Sequence, residues 1–216
     1  METSIWRECA KIYLEKMWFG QGEQDKRLVA NFSSGVVTCE MLRDLCSPAK
    51  YGVARTVPGH GSDKYKRFAD MLNGYRNTVM TRETVPGIIE REFVNMRKAY
   101  GRGFLSAITK AFWMMKQHPV VIYDSNAWKG LHRLGLAPGS DGYRTYFNSW
   151  FTFFDDAQTQ NGLDEALSWL PESSSASGLI ESGRADTSEI GRLALSPLFR
   201  NRVTDIRLFY AGGGVL

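Results

Sequence analysis

The stretch from Gly101 to Asp124, GRGFLSAITKAFWMMKQHPVVIYD, decides how this chain folds around its candidate site. A Gly-X-Gly turn opens the stretch, a helical pattern follows, and an apolar run ends in the carboxylate of Asp124. Glycines let backbone N–H groups approach an anion closely, and the N-terminus of a helix adds partial positive charge. The stretch therefore predicts a phosphate-binding turn at one end and a carboxylate held against apolar surroundings at the other.

Helical patterns lie on both sides of the turn. Residues 88–100 have the apolar spacing of one helix and residues 104–117 that of a second, with the Gly-Arg-Gly turn of residues 101–103 between them. Pro119 cannot continue the second helix, and Asp124 precedes a further helical pattern to about Leu134.

This arrangement resembles the helix-hairpin-helix and Gly/Pro...Asp signature of the DNA glycosylase superfamily, which includes 8-oxoguanine glycosylase, endonuclease III and the alkyladenine glycosylases. In that family a Gly-hydrophobic-Gly hairpin joins two helices, and a Pro-containing loop leads to the catalytic aspartate. Residues 88–117 resemble the helix-hairpin-helix, and Pro119 and Asp124 match the loop and its acid. Trp128 matches an aromatic residue that follows the acid in the family. The resemblance covers residues 85–136.

The chain departs from the family pattern in three respects. Ala99-Tyr100 replaces the usual Leu-Pro before the hairpin, and Arg102 replaces an aliphatic residue between the glycines. Leu105 occupies the position of the nucleophilic lysine of lyase-active members. Lys110 is the nearest lysine, and at about 100° per residue it lies well off the face of Leu105. The resemblance therefore implies a monofunctional glycosylase that leaves an abasic site.

The resemblance also implies a fold and roles for individual residues. It implies an all-α fold of two helical lobes that form a single catalytic module over residues 1–216. Asp124 would stabilise positive charge on the sugar and help orient water. The residues that would contact DNA are Gly101, Arg102, Gly103, Phe104 and Lys110.

Each candidate residue also has a purely structural interpretation. An Asp before a helix is a common N-cap, and capping and catalysis can coexist at Asp124. Tyr123 and Trp128 either pack in the core or line the pocket of a flipped base. Lys110 is either a surface lysine or a nucleophile. The aromatic-rich run at 143–154 is typical of a core helix, but an excess ring could stack on a flipped base.

The overall charge is +4, and it is distributed unevenly along the chain. Basic residues outnumber acidic ones in residues 50–82 and 91–133, whereas residues 155–190 are strongly acidic. Solvated helix faces would explain either run alone. Because the second basic run surrounds the Gly-X-Gly turn, the pattern favours a polyanion, and we expect double-stranded DNA as the partner.

Composition indicates the compartment. The 216 residues are 43% hydrophobic, which suits one domain or two small lobes, and no apolar run approaches the length of a membrane span. The N-terminal segment has an amphipathic helical pattern rather than that of a signal peptide. Cys9, Cys39 and Cys46 are scattered, which suits reduced thiols. We expect a cytoplasmic, nucleoid-associated monomer that does not contact a membrane.

We expect no metal and no cofactor. The cysteines lack metal-ligand spacing, and the four-cysteine motif of endonuclease III is absent, so no iron–sulfur cluster is expected. His60, His118 and His132 lack the spacing of a zinc site or a catalytic triad. Asp155 and Asp156 are adjacent, so on a helix their carboxylates point apart and face solvent.

Other segments complete the predicted organisation. Residues 51–62 predict a loop, Asp63 can cap the helix that follows, and the Ser-rich residues 171–183 predict a flexible linker. Three glycines at 212–214 predict a frayed end, and a short β-segment at 119–123 is the alternative to an irregular connection. Further helices are predicted at 5–18, 38–45, 63–72, 143–154 and 197–210.

The implied activity is the flipping of a modified or damaged base and hydrolysis of its N-glycosidic bond. A base damaged by oxidation or alkylation is the conservative expectation, and a modified base of viral DNA, excised in phage defence, is the less usual one. The alternative from another class is a non-catalytic DNA-binding module that uses the hairpin only to contact phosphate.

Overall fold

The computed structural model describes residues 2–20, 24–46, 65–101, 103–137, 139 and 142–215. Within these ranges every regular element is helical, which confirms the prediction of an all-α fold. No helix among these residues is long and apolar enough to cross a membrane. The chain divides into two compact units. Unit 1 contains residues 1–26 and 124–216, and unit 2 contains residues 27–123.

The helices predicted from periodicity are confirmed, with boundaries that differ by a few residues. The predicted helix at 5–18 is an α-helix that continues as a π-helix. Helices α2, α9, α10 and α11 were not predicted. In chain order the elements are α1 (Glu2–Ile12), a π-helix (Tyr13–Trp18), α2 (Gln24–Ser34), α3 (Cys39–Leu45), α4 (Lys66–Gly74), α5 (Val85–Tyr100), α6 (Leu105–Lys116), α7 (Ser125–Arg133), α8 (Tyr143–Phe154), α9 (Ala157–Trp169), a 3-10 helix (Leu170–Glu172), α10 (Ser174–Glu181), α11 (Thr187–Ala194) and α12 (Pro197–Ala211).

Local sequence signals explain several helix starts. The Thr38 hydroxyl accepts a hydrogen bond from the Met41 N–H at 3.2 Å, so α3 begins directly after Thr38. Pro86 lies in the first turn of α5, where its missing N–H costs no helical hydrogen bond. Asp63, predicted as the cap of α4, and the predicted loop at 51–62 lie outside the described residues.

Unit 2 builds its core from α3 to α6. Helix α3 packs against α4 and α6, and α5 packs against α6. The rings of Phe68, Phe112 and Trp113 are fully buried there. Asn73 fixes the segment before α3, because its amide donates to the Val37 carbonyl at 2.9 Å and accepts from the Val37 N–H at 2.8 Å.

Unit 1 builds its core around α1, α8 and α12. Helix α1 packs against α9 and α12, and α8 packs against α7 and α9. The predicted aromatic run forms α8, and its rings are buried except that of Phe154, which is half-buried. The run is therefore mainly core, as its helical spacing predicts.

Two glycines let α7 and α12 approach closely. A Cβ on Gly130 would fall 2.2 Å from the carbonyl oxygen of Leu208, and one on Gly212 would fall 1.8 Å from that of Asn126. These contacts join backbone to backbone, so a side chain at either position could be accommodated only by moving the helices apart.

The C-terminal glycines form a helix cap rather than the predicted frayed end. The Gly213 N–H donates to the Tyr210 carbonyl at 2.9 Å, and the Gly214 N–H donates to the Phe209 carbonyl at 3.0 Å. Gly213 has a φ of 85°, a conformation that glycine adopts without strain. The prediction of fraying is therefore wrong for residues 212–214.

The Ser-rich stretch 171–183, predicted as a flexible linker, contains helical structure. The Ser173 hydroxyl caps α10 by accepting from the Ala176 N–H at 3.2 Å. Ala176 and Leu179 are buried. The loop prediction is wrong for most of this stretch, because serine supplies helix caps and small buried side chains as well as linkers.

Candidate active site

Gly101 and Gly103 lie between α5 and α6, as the sequence predicts. Helix α5 ends at Tyr100, and Gly101 follows with a φ of 74°, in the left-handed region. A Cβ on Gly101 would meet no atom within 4 Å, so backbone conformation alone explains the glycine. Arg102 lies outside the described residues.

Gly103 has a different structural reason. A Cβ there would fall 2.2 Å from the ring of Phe93, which lies on α5. Phe93 thus packs against the backbone of the turn and holds it close to α5. Internal packing therefore accounts for Gly103 independently of any contact with a phosphate.

The N-terminus of α6 has no side-chain cap. Phe104 occupies the N-cap position, and its buried ring packs against Tyr100 and Phe68 with centroid distances of 5.4 and 5.7 Å. The N–H groups of Leu105 and Ser106 make no hydrogen bond to another described residue. Such N–H groups, with the positive end of the helix dipole, can bind an anion.

Basic side chains lie on α5 and α6. Arg97 and Lys98 are exposed in the last turn of α5, just before the turn at 101–103. Lys110 is half-buried on α6. Arg91 instead donates to Glu92 at 3.2 Å and also to the Tyr75 hydroxyl. The positive charge nearest the turn in sequence is therefore that of Arg97 and Lys98 among the described residues.

The acidic stretch at 155–190 is partly neutralised within unit 1. Arg7 pairs with Glu165 at 3.0 Å, and Lys26 pairs with Glu189 at 2.9 Å. Asp156 is exposed and caps α9, accepting from the Thr159 N–H at 3.0 Å. These contacts favour the interpretation of this stretch as solvated helix faces. Asp155 is also exposed, as predicted.

The connection from α6 to Asp124 is irregular rather than a β-segment. The Val120 N–H donates to the Gln117 carbonyl at 2.8 Å, and the peptide bond between His118 and Pro119 is cis. The side chains of residues 120–122 are buried, in agreement with the predicted apolar surroundings. The Tyr123 N–H donates to the buried Thr109 hydroxyl at 2.9 Å, which ties the end of the connection to α6.

Asp124 is the N-cap of α7. Its Oδ1 accepts from the Asn126 N–H at 2.8 Å and from the Ala127 N–H at 3.1 Å. The side chain is half-buried, and Oδ2 has no hydrogen-bond partner among the described residues. Capping of α7 therefore involves only Oδ1, and the lone pairs of Oδ2 remain available as hydrogen-bond acceptors.

Aromatic rings surround the start of α7 inside unit 1. Trp128 is only 8% exposed and packs edge-on against His132 and Tyr146, at centroid distances of 4.5 and 5.8 Å. This placement favours core packing of Trp128. Tyr123, the last residue of unit 2, is half-buried.

Tyr146 connects this region with a second carboxylate. A hydrogen bond joins Tyr146 to the backbone of Asp124. Burial raises the pKa of Tyr146 well above its ordinary value, and the charges of Asp205 and Asp124 raise it further. Tyr146 is therefore neutral at physiological pH and close to both carboxylates.

A buried polar cluster of Asp25, Trp150, Arg202 and Asp205 was not predicted from the sequence. Trp150 Nε1 donates to Asp205 Oδ1 at 2.8 Å, and Arg202 donates to Asp205 Oδ2 at 3.1 Å. Arg202 Nε lies 3.7 Å from Asp25 Oδ2. The spacing of Arg202 and Asp205 on one helix was the available signal, but that spacing is also typical of exposed ion pairs.

Burial perturbs the acid of this cluster. The pKa of Asp205 is raised from 3.8 to about 6, chiefly by desolvation and to a smaller extent by the charge of Asp124, although Arg202 and the Trp150 hydrogen bond act in the opposite direction. Burial alone would lower the pKa of Arg202, but Asp25 and Asp205 raise it above its ordinary value.

Metal-ligating groups are not gathered in the described part of the chain. No group of three or more His, Cys, Asp or Glu side chains there could hold a metal ion. Cys9, Cys39 and Cys46 form no disulfide with another described residue. Burial raises the pKa of Cys9 to about 12, so this thiol is not a nucleophile at neutral pH.

Comparison of the chain with family models, with curated proteins and with solved structures finds no match.

Proposed function

We propose that the chain is a monofunctional DNA glycosylase, which flips a modified or damaged base and hydrolyses its N-glycosidic bond. The observation that carries the proposal is Asp124, a half-buried carboxylate whose two capping bonds both go to Oδ1, and which follows α5, α6 and a short connection in the chain. In this proposal the two units are the two lobes of a helix-hairpin-helix glycosylase, acting as a monomer on nucleoid DNA in the cytoplasm.

The uncapped start of α6 is the proposed phosphate contact. The N–H groups of Leu105 and Ser106, with those of the turn at 101–103, would bind one phosphate of the backbone. Arg97 and Lys98, exposed on the preceding turn, would add favourable charge. This contact fixes the position of the duplex and reads no base.

Asp124 is the proposed catalytic residue. As the bond between the sugar C1′ and the base breaks, its electron pair leaves with the base and positive charge develops on the sugar. Oδ2 of Asp124 stabilises that charge and orients a water molecule. The water oxygen adds to C1′, and the proton that the water loses passes to the departing base, which leaves an abasic site and a neutral free base. Oδ1 keeps its two capping bonds throughout, which holds the carboxylate in place.

The absence of a lysine at Leu105 supports hydrolysis rather than strand cleavage. Leu105 is the first residue of α6, where lyase-active members of the resembled family carry their nucleophile. The conservative substrate is a base damaged by oxidation or alkylation. A hypermodified base of viral DNA, removed in phage defence, is the less usual substrate of the same chemistry.

One observation favours the alternative of a non-catalytic DNA-binding module. The two capping bonds of Asp124 account for an aspartate at this position without any chemistry. Such a module would use the turn and the start of α6 for phosphate contact alone.

Incubation with a panel of modified duplex DNAs, followed by mass spectrometry of released bases, separates the two functions. The proposal expects release of free base by the parent chain and its loss in Asp124→Asn. Asp156→Asn is the matched control, because Asp156 is also an N-cap but lies exposed at the start of α9. Duplex binding without release of any base would support the binding module and contradict the glycosylase.

A further inference from the structure

Asp205 is a buried acid that the proposed chemistry does not use. It lies on α12 in the core of unit 1, and its side chain is about 10% exposed. Both of its oxygens accept hydrogen bonds, Oδ1 from Trp150 and Oδ2 from Arg202. Burying a carboxylate costs free energy, so Asp205 is not explained as a polar residue that keeps the helix surface soluble.

The packing of unit 1 brings Asp205 near Asp124. Tyr146 and Trp150 are one turn apart on α8 and both fully buried, so they share a face. Trp150 donates a hydrogen bond to Asp205, and Tyr146 is hydrogen-bonded to the backbone of Asp124. Helix α7, which Asp124 caps, is also held against α12 through the close contact at Gly130. Two independent sets of contacts therefore fix Asp124 relative to Asp205.

We propose that Asp205 is a positioning residue of the Asp124 site, a second carboxylate that strengthens the negative potential at Asp124 when it is ionised and weakens it when it is protonated. This inference rests on the proposed glycosylase function. Asp205 touches no substrate in it, because its side chain is buried and its oxygens face Trp150 and Arg202.

The charges around Asp205 explain why its ionisation changes the electrostatic potential at Asp124. Arg202 is shared between Asp205 and Asp25, so one positive charge faces two carboxylates when both are ionised. The surplus negative charge is buried, where a low effective dielectric screens it weakly. The titratable groups that act on Asp205 and Arg202 are Asp124 at the cap of α7, Tyr146 on α8, Asp25 on α2 and Tyr13 on the π-helix.

The indole N–H of Trp150 offers a direct readout, since it donates to Asp205. In a pH titration followed by proton–nitrogen NMR, we expect this signal to shift with a midpoint near the pKa of Asp205, about 6. Asp124→Asn removes a negative charge that raises this pKa, so the midpoint should move to lower pH. Asp156→Asn, a change at an exposed cap, should leave the midpoint unchanged. A Trp150 signal that does not titrate, or that ignores Asp124→Asn, overturns the inference whether or not bases are released.

The rate of base release tests the role itself. Above pH 7 the parent should release base about tenfold faster than Asp205→Asn, because the variant lacks the second charge. At pH 5, where Asp205 is protonated, the two rates should converge. A constant ratio at all pH values would show that Asp205 is only structural and would overturn the positioning role. Absence of release by the parent on every DNA would overturn the proposed function, while the NMR titration would still decide the coupling of the two carboxylates.

Discussion

Gly130 on α7 lies against Leu208 on α12 so closely that a Cβ on Gly130 would fall 2.2 Å from the Leu208 carbonyl oxygen. The contact joins two helix backbones, and neither can yield without moving a whole helix. Since Asp124 caps α7, the same contact holds the candidate catalytic residue in register with α12.

The first prediction concerns this contact. Gly130→Ala should lower the free energy of unfolding by roughly 3 kcal/mol, because overpacking against backbone cannot be relieved by a rotamer change. Gly178→Ala is the matched control, since Gly178 also lies in a helix and a Cβ there meets nothing within 4 Å. That control should gain about 0.5–1 kcal/mol from higher helix propensity. Equal effects of the two variants in urea unfolding would contradict the close packing of α7 on α12.

The second prediction concerns the turn. Gly103→Ala should destabilise the chain by roughly 1–3 kcal/mol, because its Cβ would meet the Phe93 ring. Adding Phe93→Leu, which frees that space, should recover part of the loss, and a double-mutant cycle of unfolding free energies measures the recovery. Strictly additive losses would mean that Phe93 is not what restricts residue 103.

The third prediction is that substitutions of Asp124 separate its role as a helix cap from the role of its negative charge in base release. Asp124→Asn keeps an oxygen for the Asn126 and Ala127 N–H groups, so we expect a stability change within about 0.5 kcal/mol. Asp124→Ala loses the cap and should cost about 1 kcal/mol. Both variants should lose on the order of 10²–10³ in the rate of base release while duplex binding stays nearly intact. Base release by the folded Asn variant at the parental rate would rule out catalysis by Asp124.

The chemistry after base release is also predicted. Because Leu105 replaces the Schiff-base lysine of lyase-active enzymes, product strands should stay intact until alkali is added, and borohydride should trap little covalent adduct. Gel analysis with and without alkali measures this. A strong trapped adduct that Lys110→Ala abolishes would contradict the monofunctional assignment.

The last prediction is a pH dependence of stability. Burial raises the pKa of Asp205 from 3.8 to about 6, so the folded chain binds this proton more tightly than the unfolded chain does. The resulting stability is fully present below the unfolded pKa and is lost as the pH rises through about 6. The loss amounts to roughly 3 kcal/mol at most. Relative to Asp205→Asn, the parent should therefore lose stability between pH 4 and pH 7 in urea unfolding. A difference between the two that is constant over this range would contradict the burial of an ionisable Asp205.

Local signals in the sequence determined much of the helical architecture. Apolar spacing predicted α5, α6 and α8, and the residues Thr38, Gly101 and Asp124 marked helix ends correctly, because caps and left-handed turns depend on a few neighbouring residues. The Ser-rich region of α10 was misjudged, since the same composition suits a linker when nothing packs on it and a helix when Ala176 and Leu179 are buried.

The environment of the candidate site depends on contacts between residues that are far apart in the sequence. Whether Asp124 kept an oxygen for chemistry depended on the geometry of its cap, and the reason for Gly103 depended on Phe93. The carboxylate of Asp205 accepts a hydrogen bond from the indole of Trp150, which lies 55 positions earlier in the sequence. Its raised pKa comes from desolvation, which arises when distant helices exclude water together and which no local pattern of residues records.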